Sequence, residues 1–229
     1  MKNLMMRNLN GMGMGLLIAA VLVVGLAVAV PANADTFQLT SDHCTGGCGT
    51  APFGTVTLTQ NGANVDVTVH LNSPNFFAKT GAVDDQAFKF NATGVVLADI
   101  TVDAHTPALV ADAGAFNGDG TGTFGFGIIC NVCGGGSSSA FNTDIVFHVA
   151  SATLADLEQP NALGNVFVVD LFSSAAGGGT GNTGPVDATR QNCTGCLPLV
   201  PEPASLLLLG SGLAGLGLWG WKRRREVNG

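Results

Sequence analysis

Tyrosine is absent from this 229-residue chain, and its two tryptophans, Trp219 and Trp221, stand together near the C-terminus. From Asp35 to Val200 the aromatics are phenylalanines alone, all thirteen of the chain. A flat ring with a polar edge suits sugar stacking, and Phe lacks that edge. A stacking-type carbohydrate module is therefore disfavoured, while polar or calcium-mediated sugar binding stays open. Positive charge is equally scarce. The same stretch carries Lys79, Lys89 and Arg190 against fourteen acids, a net charge of −11, whereas the whole chain carries −7. Such a field keeps a domain soluble and disfavours nucleic acid and anionic polymers as partners.

Catalytic patterns are missing as well. The chain has no Gly-x-Ser-x-Gly, no phosphate-binding Gly-rich loop and no His-Glu-x-x-His. A glycosidase would need two Asp, or an Asp with Glu158 (the sole Glu of the middle segment), facing across a cleft. Asp84-Asp85 reads as a solvated loop doublet. His43, His70, His105 and His148 are scattered; His70 and His148 fall on strand faces beside polar neighbours, and His43 next to Cys44 reads as a surface loop residue. The expectation is a protein without catalysis. No cofactor is called for. Asn117-Gly118-Asp119-Gly120-Thr121-Gly122 resembles a calcium-loop fragment and leaves calcium open, but it lacks the further carboxylates and closing Glu of an EF-hand.

What the chain does have is strongest at its ends. Lys2 and Arg7 precede an apolar run from Leu16 to Val30; Pro31 then breaks the helix, and Ala32-Asn33-Ala34 places small residues where a signal peptidase reads. Residues 1–34 are therefore expected to be a signal peptide cut before Asp35. Residues 204–221 form a second uncharged run with seven Leu and five Gly. As a helix it spans about 27 Å, close to the roughly 30 Å hydrocarbon core of a bilayer. Trp219 and Trp221 sit where indoles favour the membrane interface. Lys222, Arg223, Arg224 and Arg225 follow at once as a membrane stop that keeps the tail cytoplasmic and the preceding domain outside.

Pro201-Glu202-Pro203, the Leu/Gly-rich helix from Ala204 to Trp221 and the cluster Lys222 to Arg225 together resemble the PEP-CTERM sorting domain of exported proteins in Gram-negative bacteria. The resemblance covers about 26 residues and implies recognition by an exosortase, a membrane cysteine transpeptidase, near Pro201-Glu202-Pro203. Association with exopolysaccharide is part of what it implies. It says nothing about the domain being delivered.

That domain reads in period two. Val56 and Leu58 alternate with Thr55, Thr57 and Thr59; Val65, Val67, Val69 and Leu71 alternate with Asp66, Thr68 and His70. Gln60 to Asn64, with Asn61-Gly62 inside it, turns one run into the other: a hairpin with one wet face. Further strands are expected over 87–92, 95–102, 121–129, 143–151 and 166–172, with an edge at 36–39. A short helix is expected near 152–157. Repeated helices are absent, which excludes a parallel α/β fold. The expectation is all-β: an antiparallel β-sandwich of jelly-roll type over 35–182. The Gly/Ser run 133–139 and the Gly-rich 175–184 read as loops, 183–199 as a linker, and 200–229 as the sorting signal.

Six cysteines form three close pairs, Cys44/Cys48, Cys130/Cys133 and Cys193/Cys196. An even count in an exported chain points to disulfides. Each pair is expected to close on itself; the alternative joins the first pair to the third and clamps the domain ends. Two Cys-x-x-Cys pairs some sixty residues apart make a poor zinc site, and no metal is assigned.

The whole reads as an exported surface or extracellular-matrix protein, handled by signal peptidase and exosortase and held by its C-terminal helix in the membrane until processed. A carbohydrate- or calcium-binding module is the second reading, and a secreted hydrolase the third.

Overall fold

In the computed structural model the chain is described over residues 33–80, 85–174 and 182–196. Most of the expected signal peptide, the expected membrane helix 204–221 and the sorting signal lie outside the described residues. Among the described residues no helix is long and apolar enough to cross a membrane.

The order is β1 (Ala34–Leu39), β2 (Ser41–Asp42), β3 (Gly54–Asn61), β4 (Asn64–Leu71), β5 (Asn75–Lys79), β6 (Gln86–Phe90), β7 (Ile100–Val102), β8 (Val110–Asn117), β9 (Thr123–Ile129), β10 (Gly136–Phe141) and β11 (Ile145–Val149). Then follow α1 (Leu154–Leu157), β12 (Asn165–Ser173), β13 (Thr183–Thr189) and β14 (Cys193–Thr194). The first sheet, A, runs β14-β1-β3-β4-β11-β7. The second, B, runs β10-β5-β12-β6-β9-β8, with β13 also paired to β12, and β2 to β13. Among the described residues these strands pair antiparallel throughout, with one isolated parallel bridge between Lys79 and Gly135.

Side-chain alternation explains sheet A. In β3 and β4 the valines and leucines are buried and the threonines are half-exposed. The register Val56↔Val69 and Leu58↔Val67 lines the apolar residues up on one face. The turn is tight: Asn61 pairs with Asn64, leaving Gly62 and Ala63 as its centre, and Gly62 takes φ +62°. Glycine at the first central position suits a type II′ turn, whose twist matches the strands.

The apolar faces of both sheets meet in one core. Phe37 of sheet A meets Phe167 of sheet B edge-on at 4.9 Å between ring centres. Phe147 of sheet A packs on Phe88 and Phe90 of sheet B at 5.9 and 5.4 Å. Fully burying each such ring contributes about 1.5–3 kcal/mol. Two antiparallel sheets on one core make the all-β, sandwich-like fold that the alternation predicts.

Other expectations are corrected. Thr183–Thr189, expected in a linker, is strand β13 and lies along β12 from Asn165 to Phe172. Cys193–Thr194 is β14, paired to β1. The domain thus extends to Cys196 rather than ending at 182. Gly136–Phe141, whose Gly/Ser start reads as a loop, is a strand on β5. Residues 95–99 are not strand: a 3-10 turn over Leu97–Asp99 precedes β7, leaving Val96 and Leu97 exposed. Strands β5 and β8 carried too little alternation to be expected.

Candidate functional site

The residues expected to address the chain divide by position. Pro201, Glu202, Pro203, Lys222, Arg223, Arg224 and Arg225 lie outside the described residues, as does Ala32. Ala34 and Asp35 open β1, where Ala34 pairs with Thr59 and Asp35 with Leu58. Asp35 is buried there.

Each close cysteine pair is joined to itself: Cys44–Cys48, Cys130–Cys133 and Cys193–Cys196, with Cα–Cα distances of 5.6, 5.4 and 5.8 Å. Those distances fall within the span a disulfide bridges. The first ring sits on the Asp42 carboxylate, which accepts from the Cys44 and Cys48 amides at 2.9 and 2.8 Å. Asp42 with Cys44 and Cys48, and Glu158 with Cys193 and Cys196, are each close enough to surround an ion. In both groups the sulfurs are joined to each other, so neither offers the thiolate that a zinc site uses.

The third ring closes a charged cluster at the seam between the sheets. Glu158 follows α1, and its amide donates to Leu154 O at 3.1 Å. Arg190, in the 3-10 turn after β13, donates through Nη2 to the Glu158 carboxylate and through Nε to its backbone carbonyl at 3.4 Å. Cys196 Sγ lies 3.3 Å from Glu158 Oε1. Burial foremost, and then the Asp35 carboxyl beside it, push Glu158 up to about 7 against the pull of Arg190. One buried carboxyl therefore links β1, α1 and the segment leaving β13.

All three cations of the domain pair with acids. Lys79 meets Asp85 and Arg190 meets Glu158. Lys89 Nζ lies 2.9 Å from Asp170 Oδ2, with both side chains fully buried. The histidines are paired as well. His43 Nε2 lies 2.7 Å from Asp187 Oδ2, and His70 Nδ1 lies 2.7 Å from Asp144 Oδ1. His148 sits between Asp66 at 2.7 Å and Asp103 at 3.0 Å. The Asp66 hydrogen bond is the main reason His148 is raised above its ordinary value, and His148 in turn lowers Asp66. His105 contacts Pro107 O at 2.8 Å and Thr143 Oγ1 at 2.9 Å. Among the described residues no histidine is paired with a serine or free cysteine that could act as its nucleophile.

The Asn117–Gly122 turn is held by its own groups. Asn117 Oδ1 accepts from the Asp119 amide at 3.2 Å, and Thr121 Oγ1 donates to Gly118 O at 2.6 Å. The Thr121 carbonyl accepts from Asn161 and Asn165 at 2.7 and 2.9 Å. Asp119 is the one carboxylate within it, while calcium takes six to eight oxygens.

The wet face of sheet A carries ordered hydroxyls. Thr194, Thr36, Thr57 and Thr68 stand in one cross-strand row, and Thr59, Asp66, His148 and Thr101 in the next. Thr36 and Thr57 place their hydroxyls 3.4 Å apart. The row follows from the β3–β4 register, because alternate side chains share a face.

No curated protein and no solved structure matches the chain. A family model described as the PEP-CTERM protein-sorting motif matches residues 199–225, beginning just beyond the last described residue, Cys196. That motif indicates export toward the cell surface or extracellular space and processing by an exosortase. The chain thus carries a PEP-CTERM sorting motif behind an all-β, antiparallel domain.

Proposed function

We propose that the protein is a non-enzymatic component of the cell surface or extracellular matrix, exported through its N-terminal signal and cleaved at Pro201-Glu202-Pro203. The matched sorting motif carries this reading. The signal peptide, cut before Asp35 by signal peptidase, takes the chain out. The apolar helix 204–221 and the stop Lys222 to Arg225 then hold it in the membrane until the exosortase acts. Because the folded domain continues to Cys196, four residues separate it from Pro201. Fully extended, they reach about 14 Å, so the domain rests close to the membrane when the motif is read.

Changing Pro201-Glu202-Pro203 to three alanines tests this. The variant should accumulate uncleaved in the inner membrane while the wild type leaves it. A variant released at the same mature mass as the wild type contradicts the proposal.

The hydroxyl rows of sheet A favour one second reading, a surface that hydrogen-bonds a polar glycan such as an exopolysaccharide. Thr36, Thr57 and Thr68 offer both donors and acceptors at fixed spacing. A glycan array, run with and without calcium, decides it. Binding weakened by changing Thr57 and Thr68 to Val supports the reading, and no binding in either condition removes it.

A further inference from the structure

We propose that Lys89 and Asp170 condense into an intramolecular amide that cross-links β6 to β12. Lys89 lies in Phe88-Lys89-Phe90, with the flanking rings in the core and the lysine on the opposite face. That opposite face is covered: Lys89 and Asp170 are both fully buried, with Nζ 2.9 Å from Oδ2. The register fixes the meeting. Lys89 is paired with Val168 on β12, which makes Asp170 its diagonal neighbour on the same face. The amine therefore rests against the carboxyl, held there by two strands of one sheet. Such positioning turns an otherwise slow bimolecular condensation into a unimolecular one.

Burial supplies the chemistry. Two ions withdrawn from water are costly even when paired, whereas a neutral amide carries no charge to desolvate. The ammonium passes one proton to the carboxylate, giving a neutral amine and a carboxylic acid. The amine nitrogen attacks the carboxyl carbon; a C–N bond forms, a C–O bond breaks, and the departing hydroxyl takes a second amine proton. Lys-NH3+ and Asp-COO− thus become one amide and one water, with no oxidant and no change of net charge.

High-resolution mass spectrometry of the purified full-length protein, after reduction and denaturation, reads the outcome. The expected result is the loss of one water's mass, with trypsin failing to cut after Lys89 and a branched peptide joining the Lys89 and Asp170 segments. Asp170→Asn sharpens the test, because an asparagine condenses by losing ammonia and yields a product of the same mass as the cross-linked wild type. Lys89→Met should show its full unmodified mass. A wild type with full mass, cleaved by trypsin after Lys89, overturns the proposal. So does a water loss that persists in Lys89→Met.

Discussion

Sheet A and sheet B are built from the same kinds of strand, yet they treat their second faces differently. In β3 and β4 every other residue is left partly in water. In β6 all five residues are buried, and in β12 all but one. Sheet A places threonines, Asp66 and His148 on its second face, where water satisfies them at little cost. Sheet B places Lys89, Asp170 and Asp187 there, out of water, where each needs a partner. Identical alternation in the sequence therefore means a solvated row in one sheet and a buried polar layer in the other.

The sharpest break of this comparison removes β13. A chain ending at Asn182 takes one neighbour from β12 and uncovers Phe167, Val169 and Leu171 along that edge. It should lose cooperative thermal unfolding altogether, measured by circular dichroism, whereas a chain ending at Cys196 keeps it. Next comes Lys89→Met, which takes the cation away from the buried Asp170 carboxyl. Breaking a buried pair costs about 3–5 kcal/mol, read as a lower denaturant midpoint. The equivalent change on sheet A, Thr57→Ala, should stay within about 0.5 kcal/mol.

At the seam, Glu158 should set a pH dependence. Its carboxyl sits at about 7 in the fold against an ordinary 4.5. Between those values the folded chain keeps a proton that the unfolded chain has released. Stability therefore falls as pH rises from about 4.5 to about 7, and levels off above. With partial screening by solvent the effect is on the order of 1–2 kcal/mol. Glu158→Gln should flatten that slope in melts at pH 4 to 8. The smallest effect belongs to the wet face. His148 is raised by Asp66 and Asp103, so its contribution is present below its ordinary value of 6.5 and lost as pH rises through the raised one. His148→Gln should remove about a few tenths of a kcal/mol of stability at pH 6 and less at pH 9.

Legibility in the sequence followed the same divide. The hairpin β3–β4 was plain because one wet face imposes strict alternation, whereas the cysteine spacing left local and long-range pairing both open until the fold brought each close pair together. Strand β13 was hidden. Thr-Gly-Pro-Val-Asp-Ala-Thr contains two residues that strands avoid, yet both fit their places. A Cβ on Gly184 would lie 2.6 Å from the Cys44 Cα, so only glycine allows the loop bearing that disulfide to pass. Pro185 loses nothing through its carbonyl, which accepts from the His43 amide at 3.1 Å. Lys89 carried no signal of burial: alternation sets it opposite Phe88 and Phe90, and that second face of β6 is buried as well. The scarcity of cations was the available signal, since all three in the domain are paired. The sorting motif stayed legible throughout, because its order of Pro-Glu-Pro, apolar run and basic cluster is local in the chain.

The mass of the mature protein recovered from the cell surface or medium tests the account most directly. A chain that begins at Asp35, retains Cys193 and Cys196 as a disulfide and ends near Pro201-Glu202-Pro203 is the predicted result. Mature protein that still carries Trp219 and Trp221 would contradict it.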